Sequence, residues 1–211
     1  MRKMAIPMAV LAAGAAAPLA AQVARPDDAQ LKAHLDPAQE LEGRGDGDLT
    51  GDGVRDVAFI GRSEEKRTLK VLRTDRGAVD VHFVTIGALD LDTFPQGQAE
   101  ISIASGILKI IDMTGGSTAT QAVYRYRYEP ASKRLRLIGL DATVYSRTYA
   151  HDGYAVSWNL LTGAVVRRAM KLNTRGGDKA YDPIVETRSK QPSLPLYMET
   201  TPDVEELLGR K

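Results

Sequence analysis

The sequence predicts one antiparallel all-β domain, either a sandwich or a strongly twisted open meander sheet, with short helical segments at its N- and C-terminal ends. Strand-like runs follow one another at short spacing from residue 54 onward, turn residues separate them, and little helical periodicity is present. The 211-residue chain contains no cysteine, which excludes disulfides, thiol chemistry and lipid attachment through cysteine. Its stability must therefore come from a hydrophobic core, with any bound metal as an addition.

The first 21 residues have the organisation of a secretory signal peptide. Arg2 and Lys3 precede an apolar, alanine-rich stretch at 4–19, and small residues follow it. We expect cleavage after Ala21 and a periplasmic or secreted mature protein. A transmembrane anchor is the weaker alternative, because prolines and a glycine interrupt the run and the segment is short for a membrane span.

Behind the signal peptide, the chain divides into a lead segment, a β domain and a tail. Residues 22–45 are polar with weak helical patterning, 46–172 carry the strands, and 173–211 are irregular and end in a short helix. Removing residues 1–21 leaves 26 basic and 27 acidic side chains, a formal net charge of −1. This mixture gives no electrostatic basis for binding nucleic acid or an anionic membrane. A mature chain of this length suits one domain with a sizeable core.

The strand-like segments are separated by turns rich in glycine, proline and aspartate, as expected for hairpins. In chain order they are 54–61, 68–74, 79–86, 100–104, 107–113, 120–129, 134–144, 154–160 and 164–172. A short helix is predicted at 29–35. A second one is predicted through about Leu208, with Thr201 as its N-cap and Pro202 at its first position.

The segment 48–56 has the layout of a cation-binding loop. Oxygen-bearing side chains stand at positions 1, 3, 5 and 9, and a glycine at position 6 permits a sharp backbone turn. Hard cations prefer such an oxygen shell, and Ca²⁺ is the expected ion. The expected ligands are the side chains of Asp48, Thr50, Asp52 and Asp56 and the backbone carbonyl of Val54.

The loop differs from an EF-hand at position 12, where Phe59 replaces the bidentate glutamate and an apolar run leads into a strand. Weak binding is therefore expected, with a Kd of roughly 10⁻⁴ to 10⁻³ M. Asp46 or Glu42 is a candidate for a further ligand oxygen. The alternative is a metal-free turn whose carboxylates accept backbone N–H groups; Arg44 and Arg55 favour it, because either can neutralise a carboxylate.

Residues 47–58 resemble the aspartate-rich motif of FG-GAP and VCBS-type repeats. In those families the loop binds Ca²⁺ and leads into a strand of a β-propeller blade, which implies the same ligand positions here. One copy is found in this chain, whereas propellers repeat the motif blade after blade, and Thr50 stands where those families more often have Asn or Asp. The order of strand-like segments after the loop, over about residues 40–172, also resembles that of secreted bacterial proteins of unknown function with a single such loop. That resemblance implies no activity.

The aromatic residues favour a structural interpretation. Tyr124, Tyr126 and Tyr128 share one face of a predicted strand, with arginines on the opposite face. Such a stripe is more often half-buried core than a surface for sugars, bases or a partner protein. The single tryptophan, Trp158, is likewise interpreted as core.

Carboxylates supply the candidates for an enzymatic function. A glycoside hydrolase, for example, needs two of them across a pocket. The candidates are Asp46, Asp90, Asp92, Glu100 and Asp152. Asp152 follows His151, and this pair is interpreted as a surface turn in preference to a base with its orienting acid.

The sequence thus predicts an exported, Ca²⁺-stabilised β-domain with a binding or structural role in the bacterial envelope and no inferred catalysis. The expected partner is an unidentified protein or glycan, without nucleic acid and without stable membrane insertion after signal cleavage. Two alternatives remain open: a secreted hydrolase that uses carboxylates, and an envelope inhibitor or partner-binding protein that uses exposed tyrosine and arginine.

Overall fold

A computed structural model describes residues 25–77, 79–177 and 179–209 of the chain. Two antiparallel sheets with short helices near both ends confirm the predicted all-β class. The expected signal peptide at 1–21 lies outside the described residues. Within the described ranges, no helix has the length and apolar character needed to cross a membrane.

Strands make up most of the regular structure in the described residues, and the helical elements are short. The helices are α1 (Asp28–Lys32) and α2 (Val204–Leu207), and a 3₁₀ turn covers Met198–Thr200. The strands are β1 (Glu40–Gly47), β2 (Asp56–Arg62), β3 (Arg67–Arg76), β4 (Val81–Leu91), β5 (Glu100–Ala104), β6 (Ile107–Gly115), β7 (Thr118–Glu129), β8 (Arg134–Ser146), β9 (Gly153–Asn159), β10 (Ala164–Met170), β11 (Val185–Lys190) and β12 (Leu196–Tyr197).

Both sheets are antiparallel meanders that share one core. The first has the order β1-β2-β3-β4, and the second has the order β11-β10-β9-β8-β7-β6-β5 with β12 paired to β8. Ile60 and Leu69 of the first sheet and Leu108, Tyr126 and Leu137 of the second belong to the same buried cluster. Of the two predicted forms, this is the two-sheet sandwich.

Strand β2 is buried on both of its faces. Ala58 and Ile60 point into the core between the sheets, whereas Val57 and Phe59 belong to a second cluster that includes Leu31 of α1. The five-residue helix α1 is held by a capping box, in which Asp27 accepts the Gln30 N–H at 2.8 Å and the Gln30 side chain accepts the Asp27 N–H at 2.9 Å. The lead segment therefore acts as a cover for the first sheet.

Strand β1 starts before the expected domain boundary at residue 46, since Glu40–Gly47 pairs with β2. Its sequence is charged and rich in glycine, so it lacks the apolar alternation that marks a strand. The glycines have a structural reason: a Cβ added at Gly45 would lie 2.7 Å from the Ile101 carbonyl oxygen. β1 and β5 therefore approach each other backbone to backbone, where the two sheets meet.

We expect Gly45→Ala to lower the free energy of unfolding by about 1–3 kcal/mol, because the new methyl group meets backbone that cannot move aside freely. Gly43→Ala is the matched control in the same strand, since its Cβ would lie 3.8 Å from the nearest atom. Urea unfolding of both variants checks the prediction. Equal stability of the two variants would contradict the close approach of β1 and β5.

The C-terminal tail is more ordered than predicted. β11 pairs with β10, β12 pairs with β8, and Met198 is fully buried in the core. All six residues of β11 are exposed, so the strand is defined mainly by its backbone pairing with β10 and has no hydrophobic pattern in the sequence. The last helix begins later than predicted, with Asp203 as its N-cap; Thr201 instead donates its hydroxyl to the Met198 carbonyl at 2.8 Å.

Candidate functional site

The predicted cation loop connects β1 to β2 and is folded by its own aspartates. Asp48 accepts the N–H groups of Gly51 at 2.7 Å and Gly53 at 2.9 Å, and Asp52 accepts that of Val54 at 2.8 Å. Both glycines have positive φ, 82° and 79°, which disfavours any residue with a Cβ. The short carboxylates thus hold the loop in a tight coil.

Asp56, the last residue of the loop, is fully buried and ties the loop to the sheet. Its Oδ2 accepts the N–H groups of Leu49 at 2.9 Å and Thr50 at 3.1 Å, and its Oδ1 accepts that of Thr74 in β3 at 3.0 Å. Burial raises the pKa of the Asp56 carboxyl, and the three N–H donors oppose that rise. This carboxylate therefore organises the backbone at the start of β2.

One atom in the loop fits a bound cation. The hydroxyl oxygen of Thr50, at loop position 3, is buried and has no hydrogen-bond partner, and a cation at this point would give it one. Against this, no group of three or more His, Cys, Asp or Glu side chains that could hold a metal ion occurs among the described residues. Binding of Ca²⁺ by Asp48, Thr50, Asp52, Val54 and Asp56 therefore stays a prediction.

Three of the nearby side chains that were candidates for completing or neutralising the loop, Arg44, Asp46 and Glu42, are engaged elsewhere. Arg44 forms a bidentate pair with Asp46, at 3.1 and 2.5 Å, and forms no hydrogen bond with Asp48. Glu42 binds Arg67 at 2.7 and 2.6 Å. Neither Asp46 nor Glu42 is thus an uncommitted ligand for the loop.

A second site, which we call the acidic cleft, lies where β4, β6 and β7 meet the start of α2. It is a cavity of about 120 Å³, and five carboxylates line it. They are Asp90, Asp92, Asp112, Asp203 and Glu205. The cleft adjoins a wider groove of about 710 Å³, whose lining includes the exposed ring of Phe94 and shares Asp92, Thr120 and Glu205 with the cleft.

Neutral donors hold most of the acids in the cleft. Thr68 donates to Asp90 at 3.0 Å, the Phe94 N–H to Asp92 at 2.7 Å, and Thr120 to Glu205 at 2.8 Å. Asp203 accepts the Glu206 N–H at 3.0 Å as the cap of α2. These bonds fix the carboxylates in place, and those to Asp90, Asp92 and Asp203 do so without cancelling their charge.

At the inner end of the cleft, Asp112 belongs to a buried ion triad. The Arg67 side chain is fully buried and binds Asp112 at 2.8 and 3.0 Å and Glu42 on its other edge. Burial favours a lower pKa for Arg67, but the two carboxylates outweigh it and raise the pKa above its usual value. Burial likewise favours a higher pKa for Glu42, yet the hydrogen bonds and charge of Arg67 hold that pKa below its usual value. Arg67 and Glu42 are therefore both charged near neutral pH.

Tyr124 supplies the uncharged polar group of the cleft. Its side chain lines the cavity and is 7% exposed, and its hydroxyl forms no hydrogen bond with any other described residue. Burial raises the pKa of Tyr124, with Asp112 and Asp203 adding to the rise, so the hydroxyl stays protonated. Tyr126, stacked beside it at a centroid distance of 6.5 Å, instead bonds with the Thr201 hydroxyl at 2.8 Å.

The structure brings two of the five candidate carboxylates together, Asp90 and Asp92, and separates the rest. Asp46 pairs with Arg44, Asp152 pairs with Lys171 at 2.6 Å, and Glu100 is exposed on β5. His151 contacts the backbone oxygen of Asp152 and the Thr118 hydroxyl, so no base-and-acid pair forms there.

Sequence reasoning missed three members of the cleft: Asp112, Asp203 and Glu205. One signal was available for Asp112, because it continues the alternation of Leu108 and Ile110 on the buried face of β6, where a charge requires a partner. Asp203 and Glu205 carry no such signal, since an acidic first turn is ordinary for a helix.

The tyrosine stripe is largely buried, as interpreted from the sequence. Tyr124 and Tyr126 are buried, and the half-buried Tyr128 accepts a hydrogen bond from Arg73 at 3.1 Å. Trp158 packs against the core cluster. An exposed tyrosine patch is therefore not a basis for partner binding.

In comparisons with known proteins, no family model, no curated protein and no solved structure matches this chain.

Proposed function

We propose that this chain is an exported β-domain of the bacterial envelope that acts by binding, and that Ca²⁺ in the 48–56 loop stabilises its fold. The observation that supports the metal best is the Thr50 hydroxyl, buried without a partner at the position where a loop of this type supplies a ligand. The N-terminal sequence pattern supports export.

In this proposal the metal joins the end of β1 to the start of β2. Asp48 and Asp52 supply charge, while Thr50 and the Val54 carbonyl supply neutral oxygens. Asp48 already accepts two N–H groups of the loop, so its carboxylate is oriented before any ion arrives. Asp56 contributes by holding the N–H groups of residues 49 and 50, which positions the Thr50 side chain.

Calcium is expected to raise the melting temperature of the purified protein, and Asp52→Ala to abolish that rise. At about 10 mM Ca²⁺ and the expected affinity, mass action adds roughly 1.4–2.7 kcal/mol, or roughly 3–11 °C for a chain of this size. Equal Mg²⁺ should have little effect, because Mg²⁺ keeps its waters and requires octahedral geometry. Thermal unfolding followed by circular dichroism measures the shift.

The matched control is Glu64→Ala, which removes one exposed carboxylate from the β2–β3 loop and should keep the full calcium response. Identical melting curves in Ca²⁺ and in chelator would overturn the metal proposal.

A carboxylate hydrolase is the second candidate, favoured by the presence of Asp90 and Asp92 in one cleft. Hydrolysis of aryl glycosides that is lost in both Asp90→Asn and Asp92→Asn would support it. Turnover that survives both substitutions would exclude these residues as the catalytic pair.

A further inference from the structure

The acidic cleft has an excess of negative charge at fixed positions. Asp90, Asp92 and Asp203 form no ion pair with any described residue. The buried guanidinium of Arg67 is already shared between Asp112 and Glu42. Carboxylates held in a concave cavity focus the field on its interior, which attracts a cation.

Tyr124 provides an independent indication of a ligand. More than nine-tenths of this side chain is buried, and it borders the cavity. Its hydroxyl forms no hydrogen bond within the described part of the chain, whereas the hydroxyls of Tyr126 and Tyr128 both do. A hydroxyl on a mostly buried residue, with no partner in the described protein, is available to a ligand in the cavity.

The geometry favours an organic cation over a metal ion. No set of three or more acidic or histidine side chains in the described residues converges closely enough to hold a metal. The acceptors are instead spread around the cavity, from the buried Asp112 to the exposed Asp90 and Asp92 at its rim. A planar guanidinium or a tetrahedral alkylammonium group carries several N–H donors that point in different directions. Such a group can reach acceptors that are spread around a cavity.

We propose that the acidic cleft binds a guanidinium or alkylammonium group, with the Tyr124 hydroxyl and the carboxylates of Asp92 and Asp203 accepting its N–H donors. The rest of the ligand extends into the adjoining groove beside Phe94, which has room for the atoms that carry the group. This site is separate from the 48–56 loop and does not depend on calcium.

The test is an NMR chemical-shift titration of the purified protein in chelator and low salt, with acetyl-arginine amide as the probe. The matched ligand is acetyl-citrulline amide, which has the same shape and no charge. We expect saturable shifts at the cleft for the arginine compound and binding at least 10-fold weaker for the citrulline compound. Affinity should also fall as salt is added.

Two variants test the assigned residues. Tyr124→Phe should weaken binding of acetyl-arginine amide about 3–10-fold, and Asp92→Asn about 10-fold, because a charged hydrogen bond is lost. Tyr128→Phe, in the same strand and outside the cleft, should leave the affinity unchanged. Backbone amide spectra that overlay with the wild type show that each variant is folded.

Agmatine, a free guanidinium amine, distinguishes the source of the group. Tighter binding of the arginine amide assigns the cleft to a basic side chain of a peptide, and tighter binding of agmatine assigns it to a small amine. Equal binding of arginine and citrulline compounds, or an affinity unchanged in Tyr124→Phe, would overturn the proposal. A negative result in chelator leaves the calcium response intact, so the two proposals fail separately.

Discussion

Replacing Arg67 with methionine is expected to lower the free energy of unfolding by about 3–5 kcal/mol at neutral pH. The Arg67 side chain is fully buried between Glu42 and Asp112, whose side chains are 6% and 4% exposed. Methionine fills much of the same space but leaves two carboxylates without a counter-ion in a medium of low polarity. Urea unfolding at pH 7 measures the loss.

The pH dependence of that loss identifies its electrostatic origin. Arg67 holds the pKa of Glu42 below its ordinary value of 4.5, so near that pH the folded protein binds fewer protons than the unfolded chain. The stability from the pair is therefore fully present above the unfolded pKa and is lost as pH falls through the folded one. In Arg67→Met the stranded Glu42 carboxylate is expected to take up a proton more readily, so the difference in unfolding free energy between variant and wild type should narrow from pH 7 to about pH 4.

A gap that stays constant over this range would show that methionine acts through packing alone. Arg67→Lys is the matched control for charge, since it keeps the positive group but cannot bind both carboxylates in bidentate fashion. The unfolding free energy of Arg67→Lys should lie between those of the wild type and Arg67→Met.

Asp56→Ala is expected to cost roughly 3–5 kcal/mol, in chelator as well as in calcium. It leaves the N–H groups of Leu49, Thr50 and Thr74 without their acceptor, and each buried donor without a partner costs about 1–3 kcal/mol, less where water can enter. The measurement is urea unfolding in chelator, where metal binding contributes nothing.

Asp52→Ala is the comparison, because it removes a single hydrogen bond to the Val54 N–H in the same loop. Its loss in chelator should stay near 1 kcal/mol or below. Losses of equal size for the two variants would contradict the separate role assigned to Asp56, which is to hold the loop on β2 and β3 whether or not an ion is bound.

The parts of the fold that sequence reasoning predicted are those with apolar alternation or turn residues. The hairpins from β2 to β10 follow from such patterns, with differences of a few residues at their ends. β1 was missed because its glycines serve a close approach to β5, a reason that appears only when both strands are placed. β11 was missed because all of its side chains are exposed.

The two candidate sites also differ in how far the sequence predicts them. The 48–56 loop could be read from nine consecutive residues, because its spacing alone determines which oxygens can converge. The acidic cleft joins residues from β4, β6, β7 and α2 that lie far apart along the chain. The sequence singled out Asp90 and Asp92 only as possible catalytic acids. Asp112, a charged residue at a buried position of β6, implies a buried partner such as Arg67 but does not indicate a cavity.

Calcium binding by the 48–56 loop can be tested directly by an NMR titration of the purified protein with Ca²⁺, followed at the amides of Gly51 and Gly53. Both N–H groups bond to Asp48, so an ion bound to that carboxylate must change their environment. We expect saturable shifts centred on the loop, with a midpoint of roughly 10⁻⁴ to 10⁻³ M, and no comparable effect of Mg²⁺. Loop amides that do not move up to about 10 mM Ca²⁺, well above that range, would show that residues 48–56 form a metal-free turn.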